Sequence, residues 1–326
     1  MAEWVECTIG DLCNTISDTY KGKDEYVVLI NTSDVLEGKV MNHETVANKN
    51  LKGQFKKTFK KDDILYSEIR PANKRFAFID FENTSNYIAS TKLMVLRPND
   101  KVLPRYLFAL LKSNHLISEL QHLAETRSGT FPQITFSSEL SRIPVLLPDK
   151  ETQKKVIDIL SCIEDKIDLN LAINNNLEQQ AIAIFDNMFP DISTAEKAIG
   201  DIIIPKRGKN LLSKNAILGN VPVVAGGLNP STYHNTANTV APVLSISASG
   251  ANAGYVNLWN IPIWSSDSSF IDSSMSNDVY FWYVLLKKRQ NEIYDSQTGS
   301  AQPHIYPQHI AAMPICDLNF NKVSNY

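Results

Sequence analysis

Cysteine is scarce and scattered: Cys7, Cys13, Cys162 and Cys316, in 326 residues, show neither zinc spacing nor a disulfide framework. They are expected to be reduced and mostly buried thiols. No run approaches the ~20 apolar residues of a membrane span. The start, Met1-Ala2-Glu3-Trp4-Val5-Glu6, lacks the basic stretch and apolar core of a signal peptide, so a cytoplasmic location is expected. Catalytic signatures are lacking as well. There is no Asn-Pro-Pro-Tyr-like motif, Asn229-Pro230-Ser231-Thr232 being a turn. Gly226-Gly227 runs into Leu228-Asn229-Pro230 without the lysine of a phosphate loop. Ser249-Gly250-Ala251-Asn252-Ala253-Gly254 has the glycines of a phosphate cradle but reads as a β-turn loop. Neither a His-based metal site nor a carboxylate–lysine triad is found, so the chain is expected to be neither an enzyme nor a metal protein.

An excess of positive charge is also missing. The formal net charge is −3. Residues 1–148 carry 19 basic and 18 acidic side chains, residues 149–190 carry 4 and 8, and residues 191–326 carry 9 and 9. The acidity is therefore concentrated in the middle segment, and the flanks are close to neutral. Neutral flanks can bind nucleic acid through local basic loops, but only with modest affinity unless a basic partner assists.

What the chain does have, above all, is one long helix. Val156, Leu160, Ile163, Ile167, Asn170, Asn174, Leu177, Ala181, Ile184 and Met188 recur in steps of four and three. That rhythm lays one seam of a helix against a partner helix. Asp149 is placed to cap the start, Glu151 suits the positive end, and Pro190 stops the helix. At about 1.5 Å per residue, Asp149 to Phe189 forms a rod of roughly 60 Å, longer than one ~34 Å turn of DNA. Asn170 and Asn174 read either as tolerated polar residues or as devices that fix the register of a helix pair.

On either side of this helix the sequence repeats itself. Thr8-Ile9-Gly10-Asp11-Leu12 is echoed by Ala198-Ile199-Gly200-Asp201-Ile202. The amphipathic Arg105–Leu111 is echoed by Tyr280–Leu286. Arg127-Ser128-Gly129-Thr130-Phe131-Pro132-Gln133-Ile134 is matched by Thr298-Gly299-Ser300-Ala301-Gln302-Pro303-His304-Ile305, and Ile143-Pro144-Val145 by Met313-Pro314-Ile315. Four landmarks in one order predict two copies of a domain. Short apolar runs predict strands at Tyr26–Ile30, Ile64–Tyr66, Phe76–Ile79 and Leu93–Leu96, then at Val221–Val224, Val243–Ile246 and Gly254–Val256. The fold class is α+β: two similar domains, each a small twisted sheet plus helices, joined by a long coiled-coil-type helix. The expected boundaries are 1–147, 148–190, 191–318 and a short remainder, 319–326.

In this arrangement the chain resembles the specificity subunits of type I restriction-modification systems. The most specific stretch is Pro148-Asp149-Lys150-Glu151-Thr152-Gln153-Lys154-Lys155-Val156, continuing through Asp165-Lys166-Ile167 and Asn174-Asn175-Asn176-Leu177-Glu178 to Ala181-Ile182-Ala183-Ile184-Phe185. The Gly-to-Pro-Gln-Ile loop before it is a second hallmark. The resemblance implies two target-recognition domains, each reading half of a bipartite site in double-stranded DNA, and a spacer helix that sets the gap and docks modification subunits. It implies no catalysis and no cofactor in this chain. S-adenosylmethionine, ATP and Mg would belong to the modification and restriction subunits. A second spacer helix is part of the pattern, but only ten residues follow Cys316. The first helix is therefore expected to find its partner in a second copy or a separate chain. No membrane partner is expected.

Candidate DNA contacts are basic, amide and hydroxyl side chains on loops, since these donate to base edges and phosphates. In the first copy they are Arg70, Asn73, Lys74 and Arg75 in a Pro-containing turn, and Arg127, Thr130 and Gln133 in the Gly loop. In the second they are Lys206, Arg207, Lys209 and Asn210, with Ser249, Asn252, Gln302 and His304. Each also reads as a solvated surface side chain, and Gln133 also as a tie for its own loop. An interaction scaffold, with two related binding domains for proteins or glycans and a dimerising helix, is the other reading of the same repeat.

Overall fold

The computed structural model describes residues 4–49, 53–127, 131–193, 197–299, 302–319 and 323–324. The chain divides into two compact units, 1–169 and 170–326. The division falls inside the long helix.

In the first unit an antiparallel sheet runs in the order Cys13–Ile16, Leu93–Pro98, Ile64–Ser67, Phe76–Phe78. Its inner strand Ile64–Ser67 is buried throughout, as its apolar run dictates. A second sheet orders Thr45–Ala47, Tyr26–Ile30, Tyr87–Ser90 and Phe55–Lys57, with Tyr26–Ile30 parallel to Tyr87–Ser90. Leu65, Val95, Ala77, Ile30 and Ile79 fill a core cluster with residues of both sheets. Helices α1 (Pro104–Leu111) and α2 (Asn114–Arg127) supply Tyr106, Leu107, Leu111, Leu116 and Leu120 to a second cluster on Ile64, Tyr66 and Leu96. Trp4–Thr8 pairs antiparallel with Pro144–Pro148 and brings the two ends of the domain together.

The long helix, α3, spans Lys150–Met188. Asp149 caps it as expected: its Oδ1 accepts from the Thr152 amide at 2.8 Å, and that bond holds the carboxyl below the usual carboxylate range. Gln153 is buried; its Oε1 accepts from the Leu103 amide and its Nε2 donates to the Pro148 carbonyl, both at 2.8 Å. A buried amide with both ends satisfied clamps the helix start to the segment that opens α1.

The second unit repeats the plan. Its antiparallel sheet has the order Lys206–Arg207, Ser268–Asp272, Val243–Ser247, Val256–Trp259. Its other sheet orders Thr232–His234, Val221–Val224, Trp264–Ser265, the last two parallel. Helices α4 (Val279–Lys288), α5 (Gln290–Asp295) and α6 (Pro307–Ala311) follow, and Lys197–Ala198 pairs with Pro314–Ile315. The Ile-Gly-Asp landmark forms a 3-10 turn in both units, and its isoleucine amide donates to the carbonyl of Ile143 or Met313, at 3.0 and 2.9 Å. Strand positions follow the expected ones, except that Gly254 and Tyr255 precede the strand Val256–Trp259 and Ile79 follows Phe76–Phe78.

Each unit holds its own end of α3. Phe185 and Phe189 are buried against Phe281 in the second core, each such side chain contributing about 1.5–3 kcal/mol. The acidity of α3 meets lysines of the flanking domains: Asp168 pairs with Lys39 at 2.8 Å and Glu164 with Lys112 in the first unit. In the second, Glu178 accepts from Tyr283 Oη at 2.5 Å and lies 3.7 Å from Lys287, while Asp186 pairs with Lys288. Exposed pairs of this kind are worth ~0–1 kcal/mol each, so they orient more than they stabilise.

The thiols depart from expectation. Only Cys13 is buried, its thiol pushed up to about 12 by desolvation; Cys7 and Cys316 are half-buried and Cys162 is exposed. Among the described residues no helix is long and apolar enough to cross a membrane.

Asp63 is fully buried beneath Arg97, which grips it with Nε and Nη2 at 2.8 and 2.7 Å, and the Lys60 amide adds a third bond at 2.8 Å. Arg97→Met removes the counter-charge and strands a buried carboxylate. The expected loss is about 3 kcal/mol or more, read as a lower urea midpoint of the first unit.

Candidate nucleic-acid interface

In both units the strand that ends at Ser67 or Ser247 runs into a turn closed by one set of backbone bonds. Ser67 N–H donates to Arg75 at 2.9 Å, and Ser247 N–H to Tyr255 at 3.0 Å. Asn73 N–H donates to the Arg70 carbonyl at 2.8 Å, as Ala253 N–H does to Gly250 at 3.0 Å. Residues 67–75 thus correspond one by one to residues 247–255.

The Gly loop of each half docks on this turn through the same links. Arg70 N–H donates to the Pro132 carbonyl and Gly250 N–H to the Pro303 carbonyl, both at 3.1 Å. Ile134 N–H donates to Glu68 at 2.8 Å, and Ile305 N–H to Ala248 at 3.0 Å. Ile69 bridges Gln133, and Ser249 bridges His304. Behind the turn, Glu68 N–H donates to Lys92 at 3.0 Å and Ala248 N–H to Asp267 at 3.2 Å. Each of these shared links is backbone to backbone, and the first turn adds Ser67 Oγ, which accepts from Ile69 N–H at 3.0 Å.

The first corner carries Arg70, Asn73, Gln133, Lys92 and Glu68. Lys92 Nζ lies 3.5 Å from both Glu68 Oε2 and Gln133 Oε1. Gln133 therefore faces Lys92. Arg70 and Asn73 are exposed at the tip, on a 3-10 turn Pro71–Asn73 whose Ala72 amide donates to Gln121 Oε1 at 3.1 Å. Arg75 is turned inward and donates to the Ser33 carbonyl at 3.0 Å, because strand Phe76–Phe78 begins beside it. Arg127 is held by Glu139 at 3.1 Å, and Lys74 by Glu37 at 3.1 Å. These three serve contacts inside the unit. Thr130 lies outside the described residues.

The second corner carries Ser249, Asn252, His304 and Gln302, with Arg207 beside them. Arg207 Nη2 donates to Asp267 Oδ1 at 2.5 Å, and Ser249 Oγ bonds the other oxygen of the same carboxylate. One acid thus orients two candidate donors. Lys206, Lys209, Asn210 and Gln302 are exposed near the same edge strand and loop, while Asn252 is half-buried. Trp264 Nε1 donates to the Lys209 carbonyl at 2.8 Å and fixes that backbone. The His304 ring stacks on Tyr306, with centroids 5.9 Å apart.

Lys92 and Asp267 were not legible as site residues. Both follow or precede strands without a motif, and they join the corners only through the backbone bonds above. Aligning Ser67 with Ser247 is the signal that finds them.

Residues 1–179 match the family model for the type I restriction modification DNA specificity domain. The chain belongs to this family. It is 43% identical over 247 residues to the type I restriction enzyme HindI specificity subunit of Haemophilus influenzae, a stretch covering 73% of this chain and 53% of that protein. It is 24% identical over 249 residues to the MjaIX specificity subunit of Methanocaldococcus jannaschii, covering 64% and 57%. The chain thus spans little more than half the length of these curated relatives. In fold it is similar to the S subunit of a type I restriction-modification system from M. genitalium, with a TM-score of 0.53 at 19% identity, covering 96% of this chain and 84% of that one.

Along its length α3 divides into anchored ends and an exposed middle. Val156 packs on the first core, and Ala181 and Met188 on the second, so these seam positions serve the units themselves. From Cys162 to Leu177 every residue is exposed, and Ile163, Ile167, Asn170, Asn174 and Leu177 lie within that run. Leu160 and Ile184 are exposed beside it.

The turns differ in how they meet their backbone demands. The first and last positions are left-handed in both: φ is 44° at Arg70 and 52° at Lys74, against 82° at Gly250 and 88° at Gly254. Gly254→Ala places a Cβ 2.8 Å from Ile293 Cγ2 and 3.2 Å from Ile305 Cγ1, in a conformation that also strains alanine. The expected cost exceeds about 1 kcal/mol, measured as a shift in urea denaturation of the second unit.

Proposed function

We propose that this chain is a DNA-sequence-specificity subunit of a type I restriction-modification complex, in which each unit reads one half of a bipartite site. The observation that carries the reading is the repeated corner: two loops docked by the same backbone bonds, one presenting basic and amide donors and the other basic, amide and hydroxyl donors, with Arg70, Asn73, Lys92 and Arg207 exposed. Base-edge and phosphate recognition needs such donors on a fixed frame. Arg70, Asn73, Lys92 and Gln133 serve one half-site. Arg207, Ser249, Asn252, Gln302 and His304, with Lys206, Lys209 and Asn210, serve the other. The near-neutral charge of the flanks fits a reader that relies on a partner for much of its affinity.

The exposed run of α3 is the proposed spacer and docking surface. Leu160, Ile163, Ile167, Leu177 and Ile184 face solvent along a helix seam, and large apolar side chains left in water at that spacing favour a second helix. Modification subunits dock there, joined by a helix from a second copy or a separate chain. The chain itself takes no catalytic step. Adenine methylation with S-adenosylmethionine, and ATP- and Mg-dependent translocation and cleavage, belong to the modification and restriction subunits.

Mapping N6-methyladenine in cells with and without the chain tests the reading. A bipartite motif should vanish on deletion, and the chain should co-purify with an adenine methyltransferase subunit. Persistence of every methylated motif would sink the assignment in favour of a non-DNA scaffold. Adding whole heptads between Asn170 and Asn174 should lengthen the gap of the motif without changing its half-sites. Replacing Asn170 and Asn174 together by Leu should raise the thermal stability of the assembled complex while loosening helix register; unchanged stability and unchanged methylation fidelity would leave both asparagines without a register role.

A further inference from the structure

Arg70 occupies a backbone position that suits glycine, and its counterpart in the second unit, Gly250, is glycine. The turn needs only backbone groups from this residue. Its N–H donates to Pro132 and its carbonyl accepts from Asn73, as Gly250 does with Pro303 and Ala253. At the equivalent point of the second unit the space is open: a Cβ built at Gly250 meets nothing within 4 Å. The Arg70 side chain is exposed, and its guanidinium makes no hydrogen bond or ion pair with another described residue. Lys74, the other left-handed cation of the turn, differs in having Glu37 as a partner at 3.1 Å.

A strained backbone with no reward among the described residues marks a side chain kept for something outside the chain. The turn also fixes where that side chain starts, because it is bonded to the Gly loop on one flank and to Gln121 at its centre. Lys92 and Gln133 lie on the same corner and extend its donor set. We propose that Arg70 is the principal DNA contact of the first unit, held on a rigid left-handed turn against that turn's own preference for glycine. Its ligand is an oxygen- or nitrogen-acceptor pair that a planar guanidinium can bridge, either guanine O6 and N7 or the oxygens of a phosphodiester. The second unit places glycine at this point, so its cations come instead from Lys206, Arg207 and Lys209. This inference rests on the DNA-reading function proposed above.

The test uses the full chain assembled with its methyltransferase subunits, comparing wild type, Arg70→Gly and Arg70→Ala on duplexes that carry the mapped motif. Arg70→Gly should melt at or above wild type, by about 2 °C or more where strain is released, while DNA affinity and methylation fall at least tenfold. Arg70→Ala should lose affinity equally but keep the strain and gain no stability. A salt dependence shallower by about one, with all sequences weakened alike, identifies a phosphate. Loss confined to one guanine position identifies a base edge. Unchanged affinity and methylation in Arg70→Gly, or a melting point below wild type, overturns the proposal. Absence of any chain-dependent motif in wild-type cells is a separate result, seen before any variant is made, and it removes the DNA-reading function together with this contact.

Discussion

A helix of 39 residues, exposed through its middle, depends on what grips its two ends. An isolated amphipathic helix gains little from propensity alone and takes its stability from packing. Here the grip is made twice, by different chemistry. At the start, Asp149 and Gln153 fasten the first turn with hydrogen bonds, and Val156 begins the apolar contact. At the end, Phe185 and Phe189 are driven into an aromatic cluster with Phe281. Between these anchors the helix is left with polar and apolar side chains in water. Its acidic residues that meet the flanking domains mostly meet lysines: Glu164 meets Lys112 at the end of α1 and Glu178 lies near Lys287 on α4, at equivalent places in the two units, while Asp168 meets Lys39 and Asp186 meets Lys288.

The repeat was legible because its landmarks are physical necessities. The Ile-Gly-Asp turn recurs because the Asp side chain accepts the backbone amide that opens the turn, at Thr8 in one unit and Ala198 in the other. The Gly loop recurs because the proline and isoleucine that follow it supply the carbonyl and amide that dock on the strand end. The amphipathic helices recur because the sheet needs a cover. Each of these leaves a residue-type signature.

What was not legible lies where the backbone acts without a side-chain signature. Ser67 to Arg75 and Ser247 to Tyr255 build one turn with almost no shared residues, so the correspondence of Lys92 with Asp267 stayed hidden. Arg75 looked like its neighbours in sequence and is turned inward by the strand that begins after it. The seam of α3 was read at one phase, and the structure buries Phe185 and Phe189 beside it, because aromatic bulk rather than seam position decides which face enters the second core. Helix α2 gave a weak pattern because its buried residues, Leu116, Ile117, Leu120 and Ala124, are diluted by polar ones.

The backbone-only links of the two corners have a consequence for how such a domain changes over time. Side chains at 69, 92 and 133, and at 249, 267 and 304, border the dock without building it. Substitutions there alter the chemical face of a corner while the hydrogen bonds beneath it persist. The architecture separates innovation from survival: new preferences can be explored in one unit at small cost to folding, and independently of the other.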